Sequence, residues 1–347
     1  MTQASPHGSQ TGPPEIAILV YPGAQAAAVQ GLTDLFLVAD LLARERRETA
    51  PEAGVLLRVT HLARADEAGG AEAGSEEAGG GARRIFDTAP EAPRNPAPAV
   101  VVLPPSLGAP PTAETLGGLA GHLARSHAAG AALASVCAGA FGLAETGLLD
   151  GRRATTHWIY AERFAARYPK IRVEAERLLI DDGDVITAGG LMSWTDLGLR
   201  LVERLLGSAA MRETARFLLV DPPGREQAPY SAFAPRLDHG DAAILGVQRW
   251  LRRPEAREAD VAAMAARAGL ETRTFLRRFR KATGLRPTEY RQRLRVEEAR
   301  ESLEATARPI AQIAHDVGYE DAGAFRRVFA KMTGLAPGDY RKRFGRA

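Results

Sequence analysis

The sequence predicts a layered α/β domain with a mostly parallel sheet, followed by an all-α domain. Three observations carry this. Short Val- and Ala-rich runs alternate with helical spacings over residues 15–220. Beyond residue 240 the pattern is helical nearly to the end and contains a long internal repeat. Between them lies DPPGREQAPYSAFAPRLDHG (221–240), with four prolines and no periodicity, which reads as a linker. The helical domain is therefore placed at 241–347.

The first fourteen residues, MTQASPHGSQTGPP, lack the basic start and apolar core of a secretory leader and read as a disordered lead-in. EIAILVY (15–21), closed by Pro22-Gly23, reads as a buried strand. Val29, Leu32, Leu35, Phe36, Ala39 and Leu42 then recur at helical spacing. VLLRVTHL (55–62) and AVVVLP (99–104) are the next strands, and the unbroken valines of the second suit a sheet buried on both faces. The Gly/Ala/Glu run between them, about 64–82, cannot build a core and is expected to be a mobile insertion. A helix over 113–129 leads into the strand AALASV (131–136). ATTHW (154–158), a helix IYAERFAARY (159–168), strands around IRVEA and RLLIDDGDVIT, and a helix from Thr195 to Leu206 complete the domain.

The composition of the 347 residues, 45% apolar and 25% charged, is that of an ordinary soluble protein. The single cysteine, Cys137, excludes an internal disulfide and fits a reducing cytoplasm. No run approaches the ~18 consecutive apolar residues of a membrane span, so no membrane partner is expected. The net charge of +3 conceals a division. From Asp241 onward there are 23 Lys+Arg against 14 Asp+Glu, a net +9, while the remainder carries −6. Twenty of those 23 basic residues are arginine, the side chain suited to phosphate and base edges. A basic tail on an acidic body implies nucleic-acid binding by the tail.

The repeat is the strongest signal. FLRRFRKATGLRPTEYRQRL, from Phe275, overlays FRRVFAKMTGLAPGDYRKRF, from Phe325, with eleven of twenty positions identical. Upstream, VAAMAARAGL (261–270) matches IAQIAHDVGY (310–319). Each unit reads as a helix-turn-helix. A short helix with small Ala265 or Ala314 permits close approach, and Gly269 or Gly318 supplies the turn. A second helix starts at about Thr272 or Asp321, each a plausible N-cap. Phe275/Phe279 and Phe325/Phe329 face inward at i, i+4. A connecting helix over 288–305 would set both second helices into successive major grooves of duplex DNA, ~34 Å apart.

These residues resemble the AraC/XylS family of transcriptional regulators, over roughly Asp241 to Phe344. The resemblance implies base contacts from Arg273, Leu276 and Arg277 in the first unit, and from Ala322, Gly323, Arg326 and Arg327 in the second. Ala322 and Gly323 offer no polar reach, so the second helix is expected to specify fewer bases. Arg291, Arg293, Arg341 and Arg343 are expected to touch phosphate.

In the α/β portion, a strand runs into Cys137 and a small-residue helix follows, the layout of a nucleophile elbow. Residues 15–207, with VCAGAFGLAETGLLDGRRATTHW as core, resemble the PfpI-like, class I glutamine-amidotransferase-like superfamily. Joined to an AraC-type tail, the chain resembles the GlxA family of regulators. The resemblance implies a catalytic carboxylate near the thiol, yet Ala28 stands at that position and the nearest acid is Asp34. Cys137 and His157 are thus candidates for a vestigial dyad, and no catalysis is expected. The elbow instead suits ligand binding. N–H groups of Ala138 and Gly139 would meet a carboxylate, and Trp158 beside His157 would offer a π face to a cation. TAGGLMSW (187–194) would close the pocket, with Gly189 and Gly190 letting backbone approach. Relatives' ligands imply a small nitrogenous metabolite as effector. No cofactor is implied, and neither a metal site nor a nucleotide loop is evident.

The expected partners are double-stranded DNA, the effector, a second copy through the α/β domain, and RNA polymerase. Three alternatives stand beside this reading: a thiol hydrolase or lyase with an accessory DNA-binding module, a ligand-independent architectural DNA-binder, and a redox sensor using Cys137.

Overall fold

The computed structural model describes residues 12–46, 54–67, 81–257 and 259–345. They divide into two compact units, one ending at Gln227 and the other beginning at Ala228.

In chain order the first unit runs β1 (Glu15–Val20), α1 (Ala26–Arg46), β2 (Arg58–Arg64), β3 (Ala82–Asp87) and β4 (Val100–Leu103). It continues through α2 (Ala113–Leu116), α3 (Gly118–Ala128), β5 (Ala132–Val136), α4 (Gly139–Ala144), β6 (Arg153–Ala154), α5 (Ala161–Arg167) and β7 (Arg172–Val173). β8 (Leu179–Asp181), β9 (Val185–Ala188), α6 (Trp194–Leu206) and α7 (Ser208–Phe217) complete it. The main sheet has the order β3-β2-β1-β4-β5-β9-β8. The five inner strands are parallel, and only the edges β3 and β8 are antiparallel. The layered, mostly parallel α/β fold read from the sequence is the one observed.

Helices cover both faces, so the inner strands are buried except at the ends of β1 and β2. On one face α1, α6 and α7 pack against Ile16, Ile18, Val100, Val102 and Ala134. On the other α3 and α4 pack against Ala17, Leu19, Val101 and Leu133. The α1–α6 contact depends on two glycines. A Cβ on Gly31 would come within 2.5 Å of the Trp194 ring, and one on Gly198 within 2.9 Å of Leu35. Although α1 is long and apolar enough to cross a bilayer by composition alone, its stripe Leu32, Leu35, Phe36 and Ala39 is core.

Several expectations are corrected. The insertion at about 64–82 is regular at both ends. Arg64 closes β2, Ala65–Glu67 forms a 3-10 turn, and Ala82 opens the edge strand β3. Residues 68–80 of it, and 1–11 of the lead-in, lie outside the described residues. Long-range pairing explains the edge. β3 is tied to β2 by Arg58, 1% exposed, which forks onto Asp87 at 2.9 and 2.8 Å. The single helix expected over 113–129 is split at Gly117, whose φ of +50° only glycine adopts readily.

The second unit contains α8 (Ala242–Trp250), α9 (Val261–Arg267), α10 (Thr272–Thr283), α11 (Pro287–Ala305), α12 (Ile310–Asp316), α13 (Ala322–Thr333) and α14 (Pro337–Phe344). It is all α, and α11 runs on from one helix-turn-helix toward the other. Each half has its own core, one around Phe275, Phe279 and Tyr290, the other around Phe325, Phe329 and Tyr340.

Candidate functional site

The repeat in sequence becomes a repeat in packing. The turn glycines Gly269 and Gly318 have φ of +64° and +87°. Phe279 meets Tyr290 edge-on at 5.3 Å, and Phe329 meets Tyr340 at 5.3 Å. Gly284 and Gly334 end α10 and α13 in the left-handed region. Thr283 and Thr333 bond back to Phe279 and Phe329, each at 2.8 Å. Pro287 and Pro337 then start the next helices, where the missing N–H is harmless. The shared residues Phe, Thr-Gly-Leu, Pro and Tyr are therefore the frame that fixes the angle of α10 and α13.

With the phenylalanines inward, the remaining face of each second helix is free. Arg273, Leu276 and Arg277 are exposed on α10, as are Arg326 and Arg327 on α13. Arg273, Arg277 and Arg326 make no ion pair or hydrogen bond among the described residues, and Arg327 has only a loose, exposed pair with Asp321 at 3.6 Å. Ala322 and Gly323 are half-buried in the first turn of α13. Asp321 caps that turn through the N–H groups of Gly323 and Ala324, at 2.7 and 2.9 Å. The other cap differs from expectation. Thr272 is already helical, the cap position belongs to Glu271, and no side chain bonds there. Of the arginines beyond each unit, Arg291 bonds the Ala259 carbonyl and Arg341 the Arg308 carbonyl. Each keeps further donors of its fork.

The second candidate site is the elbow. β5 ends at Val136 and the next residue is Cys137, whose φ of +53° lies in the left-handed region that side chains avoid. Such strain costs about 1–3 kcal/mol and persists only where surroundings enforce it. They do so here. The Cys137 N–H donates to the Ala188 carbonyl at 2.7 Å, and Thr156 Oγ1 donates to the Cys137 carbonyl at 2.8 Å. Gly139 lies so close to β4 that a Cβ would stand 2.6 Å from the Leu103 carbonyl oxygen.

Burial governs the thiol at the elbow. Cys137 is 2% exposed, and burial pushes its thiol up to about 11, against a smaller opposing pull from the Ala138 N–H. Tyr21 lies beside it, and its hydroxyl is spent on the Pro104 carbonyl at 2.5 Å. Ala28, fully buried in the first turns of α1, offers no carboxylate, and Asp34 is exposed on the far side of that helix. His157 is half-buried, and burial lowers its pKa. Its Nδ1 accepts from the Ile159 N–H at 3.2 Å, capping the 3-10 turn Trp158–Tyr160, so the remaining proton sits on Nε2. No hydrogen bond joins His157 to Cys137.

Trp158 packs at a tilt on His157, with ring centroids 5.5 Å apart. In TAGGLMSW, Trp194 belongs to the α1–α6 core. Gly190 lies where a Cβ would meet Ser193 Oγ at 2.9 Å, whereas a Cβ on Gly189 would meet Gln227 Nε2 at 2.2 Å. Gln227 is the residue the sequence reading missed. A lone glutamine in a proline-rich stretch carries no periodic or motif signal. Among the described residues, no group of three or more His, Cys, Asp and Glu is arranged to hold a metal ion.

An elbow-bearing α/β unit followed by a duplicated helix-turn-helix defines a two-domain architecture. Comparison with known families agrees. Residues 91–204 match the DJ-1/PfpI family and residues 264–343 a helix-turn-helix domain. The chain thus joins a DJ-1/PfpI domain to an AraC-type helix-turn-helix domain. It is similar to the HTH-type transcriptional regulator GlxA of Rhizobium meliloti, at 28% identity over 56% of this chain and 60% of that protein. CdhR and ArgR, HTH-type transcriptional regulators of Pseudomonas aeruginosa, are 29% and 30% identical. Those matches cover 56% and 59% of this chain, and 58% and 61% of the two regulators. The chain spans about three fifths of the length of these relatives.

Proposed function

We propose that this chain is a ligand-responsive, DNA-binding transcriptional regulator in which the second unit grips duplex DNA and the first senses a small nitrogenous metabolite near Cys137. The observation that carries the DNA half is the pair of helices α10 and α13. Both are locked by the same Phe–Tyr frame and present Arg273, Arg277 and Arg326 without partners among the described residues. Guanidinium groups left unpaired in this way suit bidentate contact with guanine. The similarity to transcriptional regulators supports the same reading.

The effector half of the proposal rests on the elbow. Its strained backbone is kept while the acid is absent and the thiol is protonated, which favours binding over catalysis. Ala138, Gly139, His157, Trp158 and Gly190 are the proposed surroundings of the ligand, and Cys137 and His157 are remnants of a dyad. A cytoplasmic regulator that contacts RNA polymerase and pairs with a second copy through the first unit belongs to the same proposal. The outer face of α1 and α7 supports the pairing. Phe217 is 61% exposed there, beside Leu42, Glu45, Arg46, Glu213 and Arg216. Charges of both signs let such a face meet its own copy.

The deciding experiment is selection of fragments from a random DNA library by the purified full chain at moderate salt. An enriched motif is expected, and indifference between library and bulk competitor DNA overturns the proposal. A thermal-shift screen with amines, amino acids and related zwitterions tests the effector class. Ligand at one hundred times its Kd stabilises the native state by about 2.7 kcal/mol.

A further inference from the structure

We infer that Gln227 is a latch by which the elbow loops hold the last residues of the first unit, and that the effector signal leaves through it; this deepens the regulator reading and rests on it. Three successive residues fasten the segment. Arg225 forks onto Asp196, buried at the start of α6, at 3.2 and 2.5 Å. Glu226 accepts from Arg177 at 2.6 Å. Gln227 itself is 2% exposed. Its Nε2 donates among the carbonyls of Thr156, Ala175 and Arg177 at 2.9 to 3.0 Å, its Oε1 accepts from the Trp158 N–H at 3.0 Å, and its own N–H donates to the Glu176 carbonyl at 2.8 Å.

The partners of this amide are also the partners of the cysteine. Thr156, which receives Nε2 through its carbonyl, donates its hydroxyl to the Cys137 carbonyl. Ala188, which accepts from the Cys137 N–H, is followed by Gly189, and the three atoms nearest to a Cβ on Gly189, at 2.2 to 2.9 Å, all belong to Gln227. A ligand that moves either loop by an ångström breaks the amide's hydrogen bonds. A buried amide that loses its partners must leave, so the element has a seated and an unseated state rather than a continuum. One residue on, the Ala228 carbonyl accepts from Arg300 of the second unit at 3.0 Å. Unseating Gln227 therefore lengthens the free chain ahead of the DNA-binding helices.

The test uses the full chain, Gln227→Ala, and Gly189→Ala, which evicts the same side chain without changing it. The DNA is a fragment that the wild-type chain enriches from a random library. Both variants are expected to be cut by trypsin after Arg225 at least tenfold faster, and to shift the Kd for that fragment at least fivefold in the same direction. The latch is overturned if cleavage is unchanged, if both Kd values stay within twofold of wild type, or if the variants shift singly or in opposite directions. If Gln227→Ala does not fold, Gly189→Ala alone decides on the same two readouts. Should the wild-type chain enrich no fragment, the regulator reading falls instead, and the signalling role with it, whatever the trypsin result.

Discussion

Asp241 receives Arg278 of α10 in a fork, 2.9 Å to Nε and 2.7 Å to Nη2, while also capping α8 through the Ile244 N–H at 3.2 Å. One carboxylate thus starts the unit's first helix and turns one of two neighbouring arginines inward, leaving Arg277 outward. Asp241→Ala is expected to lower the stability of the second unit by about 1 kcal/mol through the lost cap. The Arg278 guanidinium holds the carboxyl below the usual Asp value. Its contribution is therefore present above about pH 4 and lost as pH falls through the depressed native value. Urea melts of wild type and Asp241→Asn should differ at pH 6, and the difference should shrink as pH falls below about 4.

The duplicated aromatic frame makes a second prediction. Phe279→Ala and Phe329→Ala each remove a fully buried ring that meets a tyrosine edge-on. Each should cost about 3–5 kcal/mol, enough to unfold its half of the unit. The two halves have separate cores, so each variant should lose protection from hydrogen exchange mainly in its own half. Uniform loss across α9–α14 would show a single cooperative core instead.

Arg277 and Arg327 test the assignment of base contacts. Removing a guanidinium that reads a base costs about 1–3 kcal/mol of discrimination, so Arg277→Ala or Arg327→Ala should weaken binding to the selected fragment about 5- to 150-fold. Binding to random DNA should barely change. Equal losses on both kinds of DNA would mean that these side chains touch phosphate. Arg327 should show the smaller effect, since freeing it from Asp321 opposes the contact.

The parts legible in sequence are those where a few neighbouring residues decide the outcome. The helix-turn-helix pair could be read because the chain states it twice: Phe at i, i+4, a turn glycine, and Thr-Gly-Leu before proline. The elbow could be read because a strand runs directly into small residues. What escaped depends on distant partners. ARRIFD becomes β3 only because Arg58 waits on β2 for Asp87. SAAMRETARF becomes α7, which buries the small residues Ala210, Thr214 and Ala215 with Met211 at helical spacing against α1 and α6. Gln227 is invisible until the chain returns it to Thr156 and Gly189. That position 28 holds an alanine was legible, but the burial that raises the Cys137 thiol was not, since it comes from core residues far apart in the chain.

Cys137 provides the last prediction. With its thiol pushed up to about 11, roughly a thousandth is thiolate at pH 8, so alkylation by iodoacetamide in the folded chain should be at least a hundredfold slower than in urea. A cysteine raised in the native state contributes stability that is complete below its unfolded value, about 8.5, and lost as pH rises toward 11. Cys137→Ala should therefore flatten the alkaline limb of the stability curve between pH 8.5 and 11 while leaving binding to the selected DNA within twofold. Rapid alkylation at pH 7 would restore the thiol-enzyme and redox readings, because either requires a thiolate that a reagent can reach.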